Sequence, residues 1–156
     1  MERVRAGAAA QLGELRVTVL APGRRFAADN DGSVVLWVES ADVTVLLGGD
    51  VEAVAQAELP PVRPDVLLVP HHGSRTTDPA WLERTLGQVA VLSYGRGNPF
   101  GHPAPEIVDL LKAAEVTVRE TARGDVVVPL HSLAQVVSSP AVAQRRPKLH
   151  GVSRFV

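Results

Sequence analysis

Two adjacent histidines close an apolar run in Asp65-Val-Leu-Leu-Val-Pro-His-His-Gly-Ser74. An acid closes another in Leu46-Leu-Gly-Gly-Asp50. A histidine follows a third, Val89-Ala-Val-Leu-Ser-Tyr94, at the end of Gly95-Arg-Gly-Asn-Pro-Phe-Gly-His102. Carboxylate and neutral imidazole together suit a hard or borderline divalent metal such as Zn or Mn. For the groups to meet, the three runs must be parallel neighbours. The carboxyl ends of parallel strands then share one edge, where open α/β sheets place their sites. Taken singly, each residue has a plainer reading. An acid after Gly-Gly is commonly a turn residue, and a single histidine is commonly structural. The combination is what points to a site. Neighbours in an extended strand face opposite sides, so one of His71 and His72 reaches a given site unless the chain bends. Gly73 permits that bend. Ser74 could orient a ligand or contact substrate.

The elements that must position these residues follow from patterning. Strands are predicted over 15–20, 34–38, 43–47, 65–69, 89–93, 116–119 and 126–128, with 34–38 and 43–47 forming an antiparallel hairpin. A short helix is predicted over 51–59, closed by Pro60-Pro61. A second follows the Asp78-Pro79 start to about Leu86. A third begins at Pro105, where Ile107, Leu110, Leu111 and Ala114 share one face. The middle of the chain is thus an α/β pattern, and the expected fold is a mixed β-sheet with flanking helices. Residues 1–14 read as an irregular N-terminal segment, 15–130 as the domain and 131–156 as a loosely ordered tail.

Composition sets the outer bounds. The 156 residues carry a formal net charge of −1 and are 46% hydrophobic, which fits one soluble globular domain. Balanced charge removes global basicity as a route to non-specific nucleic-acid binding. The absence of cysteine excludes thiolate ligands, disulfides and a Cys nucleophile. No apolar run approaches the ~18–20 residues that cross a bilayer. The first ten residues make a poor signal peptide.

The motifs Leu46-Leu-Gly-Gly-Asp50, His71-His-Gly-Ser74 and Asn98-Pro-Phe-Gly-His-Pro103, with the strand start Asn30-Asp-Gly-Ser-Val-Val-Leu36, carry a resemblance. In order and spacing they resemble the metallo-β-lactamase-like domain of ComEC, a competence family whose membrane-embedded part forms a DNA uptake channel. The resemblance covers roughly residues 15–130. It implies that the fold is the C-terminal half of an αββα sandwich, with Asp50 bridging two metals and the His71-His72 pair supplying another ligand. It also implies that His102 sits by the substrate, with Ser74 and Asn98 as further substrate contacts. The implied parent activity is metal-dependent DNA hydrolysis during uptake, with Zn or Mn as cofactor and DNA as partner.

Two departures bear on that expectation. Gly48 stands where the family usually has Thr. The family's main metal motif, His-x-His-x-Asp-His or a Ser-His-x-Asp-x-Asp-His form, normally lies upstream of the Asn-x-x-Ser strand. No histidine of this sequence precedes His71. The chain is therefore expected to be inactive alone and to need the N-terminal half or a self-associated copy as partner. Trp37 and the alternating apolar residues of 34–38 and 43–47 are candidates for the sheet face left without its cover. Two rivals remain. A serine hydrolase would need a strained elbow around Ser74 or Ser93, and neither has the Gly-x-Ser-x-Gly pattern. A non-catalytic docking module would keep the sheet without its chemistry.

Overall fold

The computed structural model describes residues 4–128, so the tail expected over 131–156 lies outside it. Seven strands form one sheet in sequence order. Strand β1 (Ala9–Leu12) pairs antiparallel with β2 (Leu15–Ala21). Strand β2 pairs antiparallel with β3 (Val35–Glu39), and β3 with β4 (Thr44–Leu47), in the hairpin that the sequence predicts. From β4 the sheet continues parallel through β5 (Val66–Leu68), β6 (Val89–Leu92) and β7 (Thr117–Glu120).

The parallel strands are joined by α1 (Ala53–Gln56), α2 (Pro79–Thr85) and α3 (Pro105–Ala113). Crossovers of one hand between successive parallel strands bring all three helices to the same face. Helix α2 starts as its sequence dictates. The Asp78 carboxylate accepts from Ala80 N at 2.9 Å, and Pro79 occupies a position whose N–H has no partner in any case.

Two sequence expectations fail at the ends of the sheet. Residues 9–12, read as irregular, form β1. All four are exposed, so their pairing rests on backbone hydrogen bonds and leaves no hydrophobic alternation to read. Residues 126–128, read as a strand, are irregular, and Val127 is 79% exposed. No described strand lies beyond β7 to pair with them.

The core lies between the sheet and the helices. Val35, Trp37, Leu46, Leu67, Ala90 and Leu92 supply the sheet side, and Trp81, Leu82, Ile107 and Leu111 the helix side. Trp37, expected on an uncovered face, is therefore on the covered one, with its indole N–H donating to Glu39 Oε2 at 2.9 Å. The opposite face carries Leu36, Val38, Val45, Leu47, Leu68 and Val91, which are in register across β3 to β6. All six are partly buried, and none joins the helix-packed cluster. Period-two alternation named two faces but not which one the helices would take.

Candidate active site

The site begins with the parallel register of β4, β5 and β6. Their carboxyl ends deliver the 48–50 turn, the 70–74 turn and the 93–102 loop to one edge. Close packing welds these loops together. A Cβ on Gly48 would stand 2.8 Å from Pro70 Cγ, so only glycine lets the first turn lie against the second. His71 N donates to Gly49 O at 3.0 Å across the same seam. On the other side, Ala104 N donates to Gly73 O at 2.8 Å. A Cβ on Gly73 would fall 2.8 Å from Leu92 Cδ2 and 2.9 Å from Pro103 Cβ.

The bend between the histidines is made by the histidines themselves. His71 and His72 have φ of 47° and 57°, and Gly73 follows at 78°, giving three successive left-handed residues. The left-handed region costs an L-residue roughly 1–2 kcal/mol, and such strain persists where surrounding contacts over-determine it, often at functional sites. Both rings consequently lie in one cluster, with centroids 6.2 Å apart. His102 lies 5.4 Å from His71 and 6.3 Å from His72. The strand rule that only one of the pair reaches a site does not apply, because the residues have left the strand.

Hydrogen bonds assign the rings. His72 Nδ1 lies 2.6 Å from Ser93 O, a pure acceptor, so Nδ1 carries the proton. Nε2, left with its lone pair, lies 3.9 Å from Asp50 Oδ1. His71 Nδ1 lies 3.2 Å from Glu52 Oε1, a residue that sequence reasoning passed over. An acid two places after Asp50, in a segment read only as helix, gave no signal of its own. Burial, then the charges of His71, His72 and Arg75, lowers the pKa of His102 below the usual 6.5.

The expected substrate contacts fare differently. Ser74 is 3% exposed, and its hydroxyl accepts from Thr76 N at 3.3 Å and Thr76 Oγ1 at 3.0 Å. It braces the turn that carries the histidine pair. Asn98 accepts from His102 N at 3.2 Å and donates to His102 O at 2.6 Å. Its amide therefore shapes the loop that presents His102. Phe100, unremarked in the sequence, is 79% exposed and stacks at 6.2 Å on the His102 ring.

The donor set fits a divalent metal in kind. Asp50 Oδ1 and His72 Nε2 face one another at 3.9 Å, carboxylate and imidazole being donors that such ions take. The count falls short, since no group of three or more His, Asp or Glu side chains among the described residues is arranged to hold one.

The chain is thus an α/β mixed sheet with an Asp/His cluster at the carboxyl edge of its parallel strands. No family model matches the chain. The chain is 32% identical over 127 residues to ComE operon protein 3 of Bacillus subtilis, covering 78% of this chain and 16% of that protein. It is 36% identical over 98 residues to Recombination protein 2 of Haemophilus influenzae, covering 61% and 12% respectively. The chain thus spans less than a fifth of the curated relatives it matches. A crystal structure of a candidate metal-dependent hydrolase from Parabacteroides distasonis superposes with a TM-score of 0.53 at 14% identity. That match covers 76% of this chain and 56% of the other, and shows a shared fold. The chain is related to the competence proteins, as its ComEC-type motifs indicated. Among the described residues no helix is long and apolar enough to cross a membrane.

Proposed function

We propose that this chain is the C-terminal half of a metallo-β-lactamase-like domain whose complete form hydrolyses DNA in a metal-dependent manner during competence uptake. The observation that carries the reading is the convergence of Asp50, His71, His72 and His102 at one sheet edge, with His72 Nε2 facing Asp50 at 3.9 Å. Asp50 and the histidine pair would hold a divalent cation, Zn or Mn. When bound, such ions lower the pKa of coordinated water and stabilise charge developing on a phosphoryl group. The chain's own residues supply the rest. His102, its imidazole biased toward the neutral form, stands beside the cluster to meet substrate. Phe100 offers an exposed ring of the kind on which unstacked bases lie.

The sheet face that no helix covers among the described residues supports the same reading. Aliphatic residues in register across four strands form a surface that a second sheet would cover, by face-to-face packing about 10 Å away. The occupant proposed is the upstream half of the domain; the related crystal structure contains chain beyond the 56% matched here.

The test is cleavage of single-stranded DNA in zinc or manganese chloride. The chain alone should show little turnover, and mixing it with a separately produced upstream half should restore it. Strong metal-dependent cleavage by the 156-residue chain alone, abolished by Asp50→Ala, would overturn the incomplete-site reading. The shortfall of donors favours one alternative, a docking module without chemistry. Failure of the mixed halves to take up metal would decide for it.

A further inference from the structure

We infer that Glu52 is a positioning residue that holds His71 with Nδ1 protonated and Nε2 free. The consequence for metal affinity rests on the metal reading above; the tautomer does not. Glu52 Oε1 lies 3.2 Å from His71 Nδ1. A second group points the same way. Thr76 Oγ1 lies 3.4 Å from that nitrogen and donates its own proton to Ser74 Oγ at 3.0 Å. A hydroxyl already donating elsewhere can only accept from the ring, so both neighbours of Nδ1 are acceptors and the proton belongs there.

Glu52 is itself fixed from three sides. Asn30 Nδ2 donates to its Oε1 at 3.1 Å, which gives the Asn30-Asp-Gly-Ser33 motif a function beyond making a turn. Asp31, 4% exposed, accepts from Glu52 N and from Ala55 N, each at 3.1 Å, and so fastens the backbone of this segment. Gln56, fully buried, then ties the segment to the turn after the histidines. Its amide donates to Val51 O at 2.7 Å and accepts from Asp78 N at 2.8 Å. Carboxylate and imidazole are therefore held by a framework that neither contributes alone.

The pair repeats, with a different acceptor, what Ser93 O does for His72. Beside Nδ1 of each adjacent histidine lies a fixed oxygen, hydrogen-bonded for His72 and at ion-pair distance for His71, which leaves Nε2 for another partner. Metal-ligating histidines almost always carry such a partner, and its loss typically costs 10–100-fold in affinity.

Nitrogen-15 chemical shifts of the histidine rings in the metal-free, full-length chain test this directly. His71 and His72 should both report the Nδ1–H tautomer at neutral pH. Glu52→Ala should release His71 into a mixture while His72 stays unchanged, which also shows that the variant is folded. Glu52→Gln, whose amide oxygen still accepts, should retain most of the His71 signature. In zinc titrations of the domain reconstituted with its upstream half, followed by calorimetry, Glu52→Ala should weaken binding at least tenfold, and Glu52→Gln less. A His71 ring protonated on Nε2 in the unaltered chain, or one unmoved by Glu52→Ala, overturns the proposal. If the domain reconstituted with its upstream half and the Asp50→Ala form of that domain bind zinc equally poorly, the metal reading fails by itself. The ring shifts then still decide whether Glu52 sets His71.

Discussion

In the proposed site, His72 and Asp50 bring an imidazole nitrogen and a carboxylate oxygen face to face at 3.9 Å. Asp50→Ala and His72→Ala should each reduce zinc or manganese binding more than His102→Ala does, as read by calorimetry on the reconstituted domain. His102→Ala should act on DNA binding instead. Equal losses of metal from all three variants would contradict this division. His102 also gives a pH dependence. Its folded-state pKa lies below the 6.5 of a free histidine, so between those two values the unfolded chain binds the proton and the folded chain does not. Stability from this group is therefore present above 6.5 and lost as pH falls through that window. Proton-NMR titration of the ring should place its midpoint below 6.5, and a midpoint above it would refute the assignment.

At the scale of elements, the site is made by three loops held in contact by glycines. Gly73 combines a φ of 78° with the nearness of Leu92 and Pro103, so Gly73→Ala should meet both a conformational and a steric penalty. The expected loss is about 2–4 kcal/mol in urea unfolding, adding the left-handed cost to that of overpacking. The His102 loop should also loosen, seen as faster amide exchange at Ala104, whose N–H bonds Gly73 O. A loss under about 0.5 kcal/mol, the size of a neutral surface change, would count against this packing. Sequence patterning supplied most of these elements. It named the β3–β4 hairpin, the buried strands β5 and β6 and the Asp78 start of α2, because each is written in local hydrophobicity or capping chemistry. It missed β1, which is held by backbone pairing alone.

Among the described residues, the sheet has one face covered by helices and one that is not. Leu36, Val38, Val45, Leu47, Leu68 and Val91 form a continuous aliphatic band across four strands. The isolated chain should therefore self-associate with rising concentration in sedimentation experiments. Leu36→Lys with Val45→Lys should shift it toward monomer without unfolding it, since neither residue joins the helix-packed core. The same pair should block reconstitution with the upstream half. A stable monomer at high concentration would argue that this face needs no cover.

The sequence by itself determined the α/β class, the parallel centre of the sheet and the three loops that carry Asp50, the histidine pair and His102. Those features are local, being written in runs, turns and caps. The tertiary structure alone decided how the side chains are used. His71 and His72 both turn inward because three successive residues take left-handed backbone angles. Ser74 and Asn98 serve the loops because their partners lie within the folded turns. Glu52 joins the site because Asn30, Asp31 and Gln56 fix its segment against the turn that bears His71. Trp37 lies inside because the crossovers place every helix on its side of the sheet. Each of these depends on which distant residue completes a hydrogen bond or fills a gap, and no local pattern of residue types records that.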